Sequence, residues 1–214
     1  MKYFILSFGL SIFTFCGATR LEHFETGSFR SHSYNSPVTD TIEPQDTAFV
    51  NLNAYSSDFN YDMRYATPNN FLKAKVYDCA ECYLRYATIK ALLAANKEFG
   101  ALGYKITIYD CYRPLEIQKR MYKIVPDARY VANPKTGSIH NRGGAVDISL
   151  IDSTGAVVPM GTEFDHFGKE AHQDYTKLSP EIRANRNLLR EIMEKNGFES
   201  IRTEWWHFNL KGST

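Results

Sequence analysis

One carboxylate constrains this chain more than any other residue. Asp147 lies inside Ala145-Val-Asp-Ile-Ser-Leu-Ile151, an apolar and β-branched run directly after Gly143-Gly144. The run reads as a strand fed by a glycine-rich loop. Flanked by Val146 and Ile148, the Asp147 side chain is buried at such a strand position. There it needs a cation, a metal or several hydrogen-bond donors. Any fold this chain adopts has to bring one of these to it.

The hydrophobic pattern around that strand alternates helices and strands. Phe49-Val-Asn-Leu is a short strand-like run, and residues 61–77 are loop-rich, with Thr67-Pro-Asn-Asn70 as a turn signal. Cys82 to Gly100 places Leu84, Ala87, Ile89, Leu92, Leu93 and Phe99 at helical spacing, which predicts a helix over 82–100. Tyr104 to Asp110 alternates as a strand, and a helix opens at Pro114 and runs to about Val125. Ser179-Pro180 caps another helix that ends at Gly197, and Glu204 to Phe208 reads as the last strand. The expected fold class is α+β: one domain over residues 46–214, with a small, largely antiparallel sheet and flanking helices.

The N-terminus is a separate object. Lys2, the apolar stretch from Tyr3 to Phe15 and the small residues ending at Ala18 describe a secretory signal over residues 1–18. The stretch is too short for a membrane span, which needs about 20 apolar residues. Cys16 leaves a second option open, a lipid-modified cysteine at the mature N-terminus. Residues 19–45, rich in Ser, Thr, His and Asn, read as an N-terminal arm. The expectation is an exported protein, periplasmic or secreted, with no membrane span in its mature form. Lys and Arg number 25 against 24 Asp and Glu. That balance does not suggest a nucleic-acid groove or an anionic membrane surface as partner.

Export also changes how the cysteines read. Cys79-Ala-Glu-Cys82 has zinc-knuckle spacing but no second pair. An oxidising compartment favours one structural disulfide between distant cysteines. Cys82 with Cys111 is the favoured pair, because each sits beside a well-defined element. Cys79 is then free or an alternative partner.

Three segments carry side chains capable of chemistry: Tyr109-Asp-Cys-Tyr-Arg113-Pro, Ser138-Ile-His140 through Asp147, and Glu204-Trp-Trp-His207. Two imidazoles and one carboxylate, with a fourth position open, make a ligand set for catalytic zinc. A metal so held keeps a net positive charge and acidifies bound water. On a regular strand Glu204 and His207 would face opposite ways, so a bend is needed to bring both to one site. Arg113 has two readings, an oxyanion partner or a salt bridge to Asp110. Trp205 and Trp206 wall a cavity, or one of them belongs to the core.

Together these segments resemble the zinc D-Ala-D-Ala dipeptidases, within the wider group of D,D-carboxypeptidase-like metallopeptidases. The resemblance rests on Ser138-x-His140-(x)6-Asp147 and Glu204-Trp-Trp-His207, with support from Asp110-Cys-Tyr-Arg113-Pro114, Asn69-Asn70-Phe71 and Met160-Gly161-Thr162-x-Phe164-Asp165. It spans roughly residues 49–210. It implies one zinc per chain on His140, Asp147 and His207, with Glu204 as general base and Arg113 steadying the tetrahedral intermediate. It also implies Ser138 and Asp165 as holders of the free amino terminus of a small D,D-dipeptide, hydrolysed in cell-wall peptide turnover. Two rivals share the scaffold: a D,D-carboxypeptidase acting on peptidoglycan stems, and a catalytically silent zinc-containing binding module. Glu204 and Arg113 argue against the silent module, since metal structure alone needs neither.

Overall fold

The computed structural model describes residues 43–213. The expected signal segment over 1–18, Cys16 and the expected arm up to residue 42 lie outside the described residues.

Seven strands and three helices follow one another as β1 (Phe49–Asn51), β2 (Asn60–Tyr61), β3 (Tyr83–Arg85), α1 (Tyr86–Ala101), β4 (Tyr104–Asp110), α2 (Leu115–Ile124), β5 (Ala145–Asp152), α3 (Pro180–Lys195), β6 (Phe198–Ile201) and β7 (Glu204–Leu210). Five strands form one sheet in the order β2-β4-β5-β7-β6, and β1 pairs antiparallel with β3 in a second, two-stranded sheet. In the larger sheet β2 joins β4 in parallel, and every other pairing is antiparallel. The α+β expectation with a largely antiparallel sheet therefore holds.

The core follows from the periodicities. Ile89, Leu92, Ala95 and Phe99 on α1 and Leu189, Ile192 and Met193 on α3 are buried at helical spacing. The two helices pack on each other and on the sheet. Ile106 and Ile108 of β4, with Val146, Ile148 and Leu150 of β5, complete that core. Residues two apart on a strand share a face, so Asp147 and Ser149 point away from that set. Trp205 and Trp206 are both buried and belong to the same cluster. Helix α3 starts as its sequence suggests, with the Ser179 hydroxyl accepting from the Ile182 amide at 3.3 Å and Pro180 in the first turn.

Three elements differ from the sequence reading, the first being the two-residue strand β2, which has no counterpart in it. Residues 83–85, expected as the first turn of a helix, are strand β3, and the helix begins at Tyr86. Long-range bonds hold this stretch extended: the Cys82 carbonyl accepts from Leu52 N–H (2.9 Å) and Arg85 N–H donates to the Gly143 carbonyl (3.0 Å). Tertiary pairing overrides the local periodicity there. Strand β6 has no counterpart in the sequence reading. It occupies four residues between Gly197 and the turn at Arg202-Thr203, too few for alternation to stand out.

Cys82 and Cys111 form a disulfide, while Cys79 is free and exposed. The bridge fastens the start of β3 to the residue just after β4, closing a loop across α1 with a sequence separation of 29. Replacing both cysteines by serine is expected to lower the unfolding free energy by about 3 kcal/mol, on a chain-entropy account. Denaturant titration measures this, and an unchanged midpoint would deny the bridge a stabilising role. Among the described residues, no helix is long and apolar enough to cross a membrane.

Candidate active site

Three neighbouring strands set the centre of the site. Asp147 on β5 stands opposite Asp110 on β4 and opposite His207 on β7. The β4–β5 ladder is irregular between Ile108 and Asp110, where Ile108 faces Ile148 and Asp110 already faces Asp147. The extra residue, Tyr109, reverses the in–out alternation, so Asp110 joins the Asp147 face. The β6–β7 ladder also skips, there by three residues of β7. Ser200 faces Phe208, but Ile201 faces Glu204. That skip supplies the bend Glu204 needs, and its Oε2 lies 3.9 Å from His207 Nδ1.

His140 arrives from a 3-10 turn over Ile139–Arg142, just before β5. Gly143 closes the turn at φ +68°, and a Cβ there would meet the Phe49 ring at 2.3 Å. Both the backbone conformation and the close approach demand glycine. His140 Nδ1 donates to the Cys111 carbonyl at 2.7 Å, which leaves a lone pair on Nε2. That Nε2 lies 3.4 Å from Asp147 Oδ1 and 3.2 Å from His207 Nδ1. His207 Nδ1 is 2.9 Å from Asp147 Oδ1, and its Nε2 is 2.9 Å from Asn209 Oδ1.

Ligand atoms from His140, Asp147 and His207 thus all lie within 4.8 Å of one another. The donor set fits a tetrahedral divalent ion. Bonds of 2.0–2.1 Å to nitrogen and oxygen imply donor-to-donor edges of about 3.3 Å. The observed edges are 2.9, 3.2 and 3.4 Å. With both outer ring nitrogens facing oxygen acceptors, two lone pairs and a carboxylate oxygen converge on one point. Such a cluster calls for a cation.

The charges respond to this crowding. Burial raises the Asp147 carboxyl, but His140 and His207 outweigh it and hold the group well below the usual carboxylate range. For His207 burial lowers the imidazole pKa, while Asp147 raises it through hydrogen bond and charge, and the net shift is upward. Glu204 is raised, chiefly by burial, with Asp147 adding to the effect and His207 opposing it. A metal must displace the His207 proton, and the raised pKa lets that proton persist to higher pH. Divalent-metal uptake is therefore expected to weaken by about tenfold per unit as pH falls, and the weakening begins above the ordinary imidazole value near 6.5. Competition titrations across pH measure it, and a flat profile would contradict it.

Arg113 lies just past β4 with 7% exposure. Its Nε and Nη2 donate to Asp110 Oδ2 at 3.2 and 2.6 Å, and its Nη1 donates to Gln118 Oε1 at 3.0 Å. The salt-bridge reading of Arg113 is therefore realised. The guanidinium still has N–H groups free of these bonds, because it carries five. Tyr77 completes the Asp110 shell, its hydroxyl donating to Oδ1 at 2.6 Å.

Asp165 occupies a second corner. Its backbone is left-handed at φ +62°, a conformation Asp tolerates better than most residues. The Tyr65 hydroxyl meets both of its carboxyl oxygens at 3.1 Å. Burial, then the Asp147 charge, pushes the Asp165 carboxyl well above its ordinary value. The Ser138 hydroxyl is buried with no protein hydrogen-bond partner. Arg186 on α3 holds the loop carrying Asp165, donating to the carbonyls of Met160 (2.6 Å), Glu170 (2.9 Å) and His172 (3.2 Å).

Sequence reasoning did not single out Tyr65, Gln118, Arg186 or Asn209. Asn209 had a signal, since a residue two after His207 on a strand shares its face. The other three are joined to the site only through tertiary contacts.

Comparison with known proteins agrees with this geometry. A family profile described as D-ala-D-ala dipeptidase, of the M15 peptidases, matches residues 45–214. A D-alanyl-D-alanine dipeptidase of Escherichia coli (strain K12) is 35% identical over 164 residues, covering 77% of this chain and 85% of that protein. One of Enterococcus faecium is 32% identical over 175 residues, covering 71% and 85%. One of Streptomyces coelicolor is 32% identical over 191 residues, covering 78% and 92%. This chain belongs to the D-ala-D-ala dipeptidase family of M15 peptidases.

Proposed function

We propose that the protein is a zinc-dependent D,D-dipeptidase that hydrolyses D-Ala-D-Ala. The observation that carries the proposal is the buried His140, Asp147 and His207 donor set with Glu204 beside it, in a chain of this family. His140 would hold the ion through Nε2, His207 through Nδ1 and Asp147 through Oδ1. When bound, the ion supplies Lewis acidity, polarising the scissile carbonyl and acidifying water.

The chain's own groups do the rest. Glu204, with its pKa raised toward neutrality, takes the proton of the attacking water and returns it to the departing amine. Arg113, fixed by Asp110 and Gln118, turns its remaining N–H groups to the oxyanion of the tetrahedral intermediate. Asp165, oriented by Tyr65, receives the free ammonium of the substrate, with the unpaired Ser138 hydroxyl as a further acceptor. An ammonium seated there brings positive charge to a carboxyl whose ionised form burial and the Asp147 charge disfavour, and so favours that form. A substrate without that amine leaves Asp165 uncompensated, which is how the site would select short peptides.

Hydrolysis of D-Ala-D-Ala, lost with chelator and restored by zinc, tests the activity. Cleavage of a pentapeptide stem with no action on the dipeptide would replace the reading with a D,D-carboxypeptidase. Asp165→Asn is expected to reduce kcat/KM by about 10- to 100-fold, mostly through KM, since a hydrogen bond to a charged group contributes about 1.5–3 kcal/mol. An unchanged KM would move the amine site elsewhere. The N-terminal pattern supports an exported enzyme of cell-wall peptide turnover, and recovery of the activity only from the cytosol of fractionated cells would refute that placement.

A further inference from the structure

We propose that Asn209 is a positioning residue for the metal centre, selecting the His207 tautomer that leaves Nδ1 open to the ion. The inference rests on the metallopeptidase reading above.

His207 sits between two oxygens that compete for its ring proton. Asp147 Oδ1 is 2.9 Å from Nδ1, and Asn209 Oδ1 is 2.9 Å from Nε2. With the proton on Nδ1, the ring donates to a carboxylate and its lone pair is turned away from His140. With the proton on Nε2, the ring donates to Asn209 and presents the Nδ1 lone pair toward Asp147 and His140. Only the second form can ligate. A charge-assisted bond to Asp147 would favour the first form in the absence of any opposing acceptor. Asn209 is that acceptor. In the observed orientation of the amide its Oδ1 faces Nε2 at 2.9 Å, where it accepts from an Nε2–H and would repel an Nε2 lone pair.

Asn209 is well placed for this task. It follows His207 by two residues on β7 and so shares its face. Its backbone lies between two antiparallel neighbours, opposite Ala145 on β5 and Glu199 on β6. His140 is held differently, by the Cys111 backbone carbonyl, which no change of that side chain removes. The His207 orientation therefore depends on a side chain, and the His140 orientation does not. Outer-shell partners of this type fix the ring and raise ligand affinity.

The test uses the full-length protein, zinc affinity by chelator competition, and nitrogen-15 spectra of the His207 ring in zinc-free protein at alkaline pH. Asn209→Leu removes the acceptor at similar size. It is expected to weaken zinc binding by about 10- to 100-fold and to shift the His207 ring toward the Nδ1–H form. Asn209→Asp keeps an acceptor and should retain both the zinc affinity and the Nε2–H form. Native affinity and native spectra in a folded Leu variant would overturn the proposal. Should the Leu variant fail to fold, weak zinc binding or an Nδ1–H ring in a folded Asp variant would overturn it equally. A native protein that binds no zinc would instead overturn the metallopeptidase reading, and the zinc-free spectra would still decide the tautomer.

Discussion

Replacing Glu204 by alanine is expected to leave a protein that takes up one zinc with near-native affinity and has lost turnover by about 10²- to 10⁴-fold. The two outcomes separate because Glu204 is outside the donor set. Its Oε2 lies 3.9 Å from His207 Nδ1, while the three donor atoms crowd within 3.4 Å of each other. Burial lifts its pKa, which suits a group that must accept a proton and give it back. Glu204→Gln keeps the shape without the basicity and should lose a similar factor. Metal analysis and kcat measured on the same preparation check the prediction. Near-normal turnover in either variant would remove Glu204 from the mechanism.

His207→Ala is expected to give the opposite separation, loss of the metal and of all activity with it. Three protein donors are the minimum for a catalytic zinc, and two cannot hold it at comparable strength. The loss should exceed the 10- to 100-fold that removal of an outer partner produces. His166 provides the control, since it is exposed and pairs with Glu170 at 3.2 Å, on the loop beyond Asp165. His166→Ala should keep both zinc and activity. A His207→Ala protein with native metal content would break the assignment of the centre.

Much of the fold was legible along the chain. The alternation of Tyr104–Asp110, the apolar run at Ala145–Ile151 and the Ser179-Pro180 start of α3 all reappear as elements at or near the expected residues. These are local signals, set by side-chain period and by capping chemistry. The first turn expected before Tyr86 was not helical, because β1 and the Gly143 carbonyl bond that stretch from far away in sequence. Strand β6 was missed because pairing with β7, and no pattern of its own, makes it a strand.

The donor types were equally legible. A carboxylate inside an apolar strand, a histidine before its glycine turn and a histidine after two tryptophans already announce a buried polar centre, because unpaired polar groups are not tolerated in such positions. What the linear order could not decide is which way Glu204, Asp110 and Arg113 turn. The first two reach the site through irregularities in the β6–β7 and β4–β5 ladders, and Arg113 is set by Asp110 and Gln118. A strand's in–out alternation is a local rule, but the residue at which it reverses depends on the partner strand's register. Residue type and period therefore determined the chemistry available to this protein, and cross-strand register, a property of the assembled sheet alone, decided that it meets at one point.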